Sequence, residues 1–265
     1  MRPFLRWAGG KRWLTDQSVV SAIGAKRLVE PFLGGGALFF SRDWPDAVLA
    51  DVNRHLINAY SHMKNNHTGL YQLVSDHFDD HSNERYYQVR SRMGSDSLQD
   101  AADFIYLNRA CYNGLFRVNL AGRFNVPVGS KVYEIRDFRE YEDWSKKLAN
   151  AEIRLIDFEQ TIDSCGEDDF IFADPPYTVN HNSNGFIEYN ERIFRWDDQV
   201  RLHDCLLRAA DRGARFALTN ADHETLRELY RGCTLTTVER GSEMAGLKAA
   251  RGRTTEIVIT SFGSS

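Results

Sequence analysis

Arg27-Leu28-Val29-Glu30-Pro31-Phe32-Leu33-Gly34-Gly35-Gly36 reads as a short buried strand running into a glycine loop. Proline ends the pairing, and the glycines let a ligand approach the backbone because no side chain stands in the way. A helix begins at residues 37–40 and must stop before Trp44-Pro45, since the residue ahead of a proline avoids helical backbone. Ala47-Val48-Leu49-Ala50 is a second strand, and Asp51 stands at its carboxyl end. An acid there can accept hydrogen bonds from both hydroxyls of a ribose. The glycines are not spaced GxGxxG, so a dinucleotide fits poorly. Gly9-Gly10-Lys11 is not a phosphate loop either, because Leu5 replaces the upstream glycine and Arg12 the magnesium-holding hydroxyl. The expected ligand contains adenosine and lacks a pyrophosphate.

Outward from this unit, Asn53 is placed to cap a helix. The pattern stays helical to about residue 110, with breaks near Asn65-Asn66, Ser82-Asn83 and Gly94-Ser95. Residues 111–131 alternate in short pieces around Asn113-Gly114, Gly122 and Gly129, which predicts a β-hairpin or ordered loop. A polar helix follows at 137–150, then strands at 153–156 and 170–173, a helix at 196–211, a strand at 215–219, a helix at 222–230, and strands near 234–239 and 255–261. The expected fold is α/β: a mostly parallel, doubly wound sheet with a terminal antiparallel strand pair. A helical insertion carries the hairpin. The expected domains are 1–55 with 152–265, and 56–151.

The chain has 265 residues, 42% hydrophobic and 26% charged, which excludes bulk disorder. No apolar stretch approaches 18 residues. Residues 1–7 lack the apolar core of a signal peptide. Cys111, Cys165, Cys205 and Cys233 form no CxxC pair, so they are expected as buried thiols, neither a disulfide frame nor a zinc site. The chain reads as cytoplasmic. Its 33 basic against 37 acidic residues give −4, which argues against unspecific nucleic-acid binding. Three stretches depart from that mean: Arg2, Arg6, Lys11 and Arg12; Arg109, Arg117, Arg123 and Lys131; and Arg240, Lys248, Arg251 and Arg253 against Glu243. They make a phosphate-binding surface only if the fold gathers them.

Asp174-Pro175-Pro176-Tyr177 follows the strand 170–173, where an open parallel sheet places its ligands. Two prolines fix φ twice and remove two donors, leaving a loop rich in acceptors. The Asp174 side chain and Pro175 carbonyl can share one exocyclic amino group, and Tyr177 offers a flat face to an aromatic base. A stiffened turn with a capping aspartate is the plain alternative, but the glycine loop and Asp51 occupy matching strand ends upstream.

With these motifs the sequence resembles the Dam-type adenine-N6 DNA methyltransferases over nearly its whole length. Phe4-Leu5-Arg6-Trp7-Ala8-Gly9-Gly10-Lys11 is similar to the family's N-terminal cofactor motif, residues 30–36 to its glycine loop, and Ala50-Asp51-Val52-Asn53 to its acidic strand end. Asn108-Arg109, residues 112–119 and residues 122–127 resemble its recognition hairpin, and residues 174–177 its catalytic motif. The resemblance implies S-adenosylmethionine as cofactor, held by Trp7, Lys11, Glu30, Phe32, Gly34, Asp51 and Asp174, with Phe158 packed on the adenine. It implies Asp174, Pro175 and Tyr177 as catalytic residues acting on a flipped adenine, with no metal. Double-stranded DNA is the implied partner, contacted by Arg109, Asn113, Leu115, Arg117, Arg123 and Lys131.

Arg117 matches an arginine that reads a guanine of GATC, whose O6 and N7 suit a bidentate contact. Phe186 and Tyr189 are candidates for the base pocket. Family members commonly act as monomers in bacterial or phage-infected cells, some beside a cognate restriction endonuclease. The rival readings are a methyltransferase for RNA, protein amide or a small molecule, and an inert DNA-binding relative. His77 and His81 share a helical face, and the intervening Asp79 and Asp80 predict a solvated surface there rather than a metal site. His203 is expected at the surface, and no GxSxG element suggests a serine nucleophile.

Overall fold

Phe4 has no exposed surface and packs on Tyr60, Phe40 and Trp144, with ring centroids 4.7, 6.2 and 5.7 Å away. The Trp144 indole N–H donates to the Arg2 carbonyl at 2.8 Å. These contacts tether residues 1–7. The computed structural model describes residues 1–7, 9–11, 14, 24–94, 96–119, 123–177, 194–241 and 253–262. By their contacts they divide into one unit of Met1–Thr15 with Leu33–Ile156, and another of Asp16–Phe32 with Asp157–Ser265.

The first unit holds α1 (Ala37–Ser41), β2 (Asp46–Asp51), α2 (Arg54–Asn65), α3 (His67–Asp79), α4 (Asn83–Arg92), α5 (Leu98–Ala110), α6 (Phe138–Leu148) and β3 (Ala151–Leu155). Strands β2 and β3 run parallel, from Ala47 against Ala151 to Asp51 against Leu155. Local chemistry sets the helix starts: Asn53, Asn66, Ser82, Ser97 and Asp137 each accept a first-turn N–H with the side chain, worth about 1 kcal/mol apiece. The loop breaks fall where the sequence predicted them. Helix α5 is the hub. Its Ala101, Ala102, Phe104, Ile105, Tyr106 and Leu107 are at most 1% exposed, and it packs on α2, α3 and α4.

One expectation is corrected in this unit. His77 is buried, not solvated. Its Nε2 lies 2.8 Å from Asp103 Oδ1 on α5, and its ring stacks on Tyr106 at 4.9 Å. Arg92 grips both oxygens of Asp103 at 2.7 Å, and Gln99 adds a third donor at 2.8 Å. His81 contacts the Tyr106 hydroxyl at 2.7 Å. Asp79 and Asp80 remain exposed, and Asp79 accepts from Arg136 at 2.6 Å; the histidines turn inward to partners on α5.

Residues 111–131 reverse direction as predicted, but single bridges hold them rather than a strand ladder. Cys111 pairs antiparallel with Val128, and Val118 with Phe124. Asn119 N–H donates to the Arg123 carbonyl at 2.8 Å and Asn125 N–H to the Arg117 carbonyl at 3.1 Å. Tyr112–Gly114 forms a 3-10 turn, and Asn113 (φ 56°) and Gly114 (φ 65°) are left-handed, which no regular strand accommodates. A side chain at position 114 would meet Arg6 Cβ at 2.7 Å, so this glycine is required twice over. Gly122 lies outside the described residues.

The second unit holds β1 (Arg27–Glu30), α7 (Phe158–Asp163), β4 (Asp169–Ala173), α8 (Trp196–Asp211), β5 (Arg215–Ala221), α9 (Glu224–Leu229), β6 (Thr234–Gly241) and β7 (Arg253–Thr260). Strand β4 pairs parallel with β1 and with β5, while β7 runs antiparallel to both β5 and β6. All five residues of β4 are buried, which explains the apolar run over residues 170–173. Arg27 clamps its register partner Asp169 with two hydrogen bonds of 2.7 and 2.8 Å. His203 is half-buried rather than at the surface, its ring edge-on to Tyr230 at 5.0 Å. Helix α7, unforeseen in the sequence, is only six residues long and starts at the Asp157 cap. Among the described residues the chain is thus mixed α/β, with seven strands, mostly parallel and with antiparallel end strands.

Candidate active site

In the first unit, the chain leaving β2 ends at Asp51 because Leu33 N–H bonds the Ala50 carbonyl at 3.0 Å, turning the glycine loop over that strand end. Asp51 Oδ2 accepts the Gly34 N–H at 3.2 Å and Oδ1 the Asn53 N–H at 2.9 Å. Burial pushes its carboxyl up to about 6, against the backbone donors Asn53, Gly34 and Val52, which pull it down. Gly34 is left-handed (φ 47°), and a Cβ there would meet the Trp7 ring at 2.9 Å. Trp7 therefore covers bare backbone. Lys11 is only 3% exposed, and its Nζ donates to the Gly9 carbonyl at 2.8 Å. The structure thus brings Trp7, Gly34 and Asp51 together.

Trp7 also stacks on Phe116 (5.9 Å, 13° between planes), which meets Phe104 and Phe124. The cofactor motif is thereby linked to the segment that carries Arg117. Arg117 is exposed, with Nε donating to Asn125 Oδ1 at 2.9 Å. Asn113, Arg123 and Lys131 are exposed and Leu115 half-buried. Arg109 Nε donates to the Tyr133 carbonyl. Burial together with the neighbouring Arg6 lowers the Arg109 guanidinium to about 10. The Arg6 guanidinium lies 3.7 Å over the Tyr133 ring, and its backbone exchanges hydrogen bonds with the Asn108 amide at 2.8 and 2.7 Å. Two of the three basic stretches therefore meet. Arg12, Lys248 and Arg251 of the stretches, and also Phe186 and Tyr189, lie outside the described residues.

In the second unit, Glu30 is buried at the end of β1. Phe32 stacks on Phe158 at 5.2 Å and meets Phe194 edge-on at 5.6 Å. Arg201 sits 4.3 Å over the Phe158 ring while bonding both oxygens of Asp157 at 3.2 Å. Phe158 is thus buried beneath Phe32 and Arg201, and Phe32 is the more accessible ring. Asp174 continues β4, and its Oδ1 accepts the Thr219 hydroxyl at 2.6 Å from β5. Pro175 is buried, and Tyr177 is half-buried with its hydroxyl donating to Glu256 Oε2 at 3.0 Å on β7. Burial first, then the nearby Asp174 and Glu256, raise the Tyr177 phenol well above its ordinary value, so it keeps its proton.

Sequence reasoning missed Thr219, Glu256, Arg201 and Phe116. Thr219 ends the strand expected at 215–219, beside β4, and Glu256 is a lone acid before Ile257-Val258-Ile259. Those two signals were legible. All four cysteines are free. Among the described residues no group of three or more His, Cys, Asp or Glu side chains could hold a metal ion, and no helix is long and apolar enough to cross a membrane.

A mostly parallel sheet with antiparallel end strands, among the described residues, is the architecture of the class I methyltransferase fold. Comparison with known proteins narrows the class. The model of the D12 class N6 adenine-specific DNA methyltransferases matches residues 7–244, and the chain belongs to that family. It is 35% identical over its whole length to the type II methyltransferase M1.LlaDCHI of Lactococcus lactis subsp. cremoris, covering 96% of that protein. It is 32% identical to a DNA adenine methylase of Vibrio cholerae, with 97% and 95% of the two chains aligned. A DNA N-6-adenine-methyltransferase of Escherichia phage P1 is 38% identical over 86% of this chain, which spans only 31% of that longer protein.

Proposed function

We propose that the protein transfers a methyl group from S-adenosylmethionine to N6 of an adenine rotated out of duplex DNA, within GATC. The observation that carries this reading is the Asp174 loop, whose aspartate is oriented by Thr219 and whose tyrosine is anchored by Glu256. The cofactor fits the residues present. Gly34 offers backbone with no room for a side chain, and the Asp51 carboxylate, which already takes backbone N–H groups from Gly34, Asn53 and Val52, keeps acceptor capacity for a ribose hydroxyl. Trp7, Lys11, Glu30 and Phe32 complete the proposed set, with Lys11 as the cation for the methionine carboxylate and Phe158 supporting Phe32 from below.

The bound cofactor supplies an electrophilic methyl on a cationic sulfur. The residues of this chain do the rest. An adenine inside a duplex is out of reach, so it must leave the stack; Tyr177 then takes its face. Asp174 and the Pro175 carbonyl accept the two N6 hydrogens and hold the nitrogen lone pair out of ring conjugation. Arg117 reads guanine, and Arg109, Arg123 and Lys131 hold phosphates. Replacing Asp174 removes the acceptor at the reacting nitrogen while leaving Asp51 and the glycine loop intact. Asp174→Ala should cut the methyl-transfer rate about a hundredfold or more while cofactor affinity, read by calorimetry, changes only a few-fold. Near-normal methylation by this variant would remove the assigned role.

A further inference from the structure

Tyr177 raises a mechanical question that its neighbour on β7 answers. Rotation of a tyrosine ring about its last side-chain bond is broad and weakly restrained. A ring left to itself would offer a stacking base no defined plane. A phenolic O–H lies in the plane of its ring through conjugation, so an acceptor in a fixed place selects that plane. Glu256 Oε2 is such an acceptor, 3.0 Å from the Tyr177 oxygen.

Strand β7 holds the acceptor rigidly. Glu256 is 7% exposed, is followed by the fully buried Ile257, Val258 and Ile259, and is paired with Ala221 of β5 and Val238 of β6. Burying an acid there is costly when a neutral side chain would fill the space. Thr219, also on β5, fixes Asp174 from the next strand in the same way. Asp174 is thus held from β5 by Thr219 and the Tyr177 hydroxyl from β7 by Glu256, with the Thr219 side chain also bonded to Tyr177.

We infer that Glu256 is a positioning residue for methyl transfer, setting the plane of the Tyr177 ring on which the extruded adenine stacks. The inference rests on Tyr177 being the base platform of the proposed reaction. It makes Glu256 act on methyl transfer through the Tyr177 hydroxyl, which a role in packing would not require.

A double-mutant cycle tests this on the full chain. Single-turnover methyl transfer to a GATC duplex at saturating cofactor is measured for wild type, Glu256→Met, Tyr177→Phe and the double variant. A duplex with 2-aminopurine in place of the target adenine reports stacking of the extruded base by its fluorescence. Glu256→Met and Tyr177→Phe should each slow transfer about tenfold and leave the 2-aminopurine brighter, with KM for the cofactor within about twofold. The double variant should be no slower than Tyr177→Phe, and Glu256→Gln, which keeps an acceptor oxygen, should recover most of the loss. Additive slowing in the double variant, an equal loss of cofactor affinity, or full rate in Glu256→Met would overturn the inference. Should the Glu256 variants not fold, Tyr177→Phe decides alone: wild-type rate without the hydroxyl is incompatible with it. A wild-type protein that methylates no adenine would instead overturn the proposed function, and the two failures are distinct.

Discussion

Asp51 shows how one side chain can serve both the fold and a ligand. Burial pushes its carboxyl up to about 6, although three backbone N–H groups pull it down. Ribose hydroxyls donate to the ionised form, so cofactor binding favours deprotonation, and by linkage affinity rises with pH through that value. Titration of S-adenosylmethionine between pH 5 and 8 should show tighter binding above about pH 6 and progressive weakening below it; a flat profile would exclude the ribose role. In the free protein the sign is opposite, since a raised folded value stabilises most below the ordinary carboxyl range and loses its contribution as pH rises through about 6. Asp51 and Asp174 were legible in the sequence because each follows an apolar strand directly. Phe158 was legible only as a site candidate: its burial under Arg201 comes from α8, which no local pattern near residue 158 announces.

Helix α5 carries the corresponding case among the elements. Asp103 is 2% exposed, and burial alone would raise its carboxyl; hydrogen bonds from Arg92, His77 and Gln99 outweigh that and leave it at about 2. A depressed folded value contributes stability above the ordinary carboxyl range and loses it as pH falls. About 2 kcal/mol should disappear between roughly pH 4 and 2, measurable by urea unfolding across that range. Asp103→Ala takes the partner from the buried His77, while the half-exposed Arg92 turns to water, and should destabilise the protein by roughly 1–3 kcal/mol at pH 7, with the low-pH loss largely gone; an unchanged unfolding midpoint would contradict the assignment. Helix starts were readable residue by residue because capping is local, as at Asn53 and Ser82. The burial of His77 was not, because its partner Asp103 lies two helices away in sequence. The reversal at 111–131 was legible from Asn113-Gly114 and the alternating pieces, but its bridges depend on side-chain contacts such as Trp7 on Phe116.

Taken whole, the molecule is acidic, yet Arg6 and Arg109 stand together in one unit with Arg117 in the segment that follows. Net charge therefore says little about its partner; placement says more. The order of motifs along the chain was enough to recognise the family. The scaffold behind them, with Thr219 orienting the aspartate and Glu256 the tyrosine, needed the strands to be assembled first. The central claim is that this scaffold delivers a methyl group to the exocyclic nitrogen of adenine. It is tested most directly by incubating the protein and S-adenosylmethionine with a random-sequence duplex pool and mapping every methylated base. The account predicts N6-methyladenine, concentrated at GATC. Methylation of cytosine, of adenine with no regard to sequence, or of no base at all would contradict it.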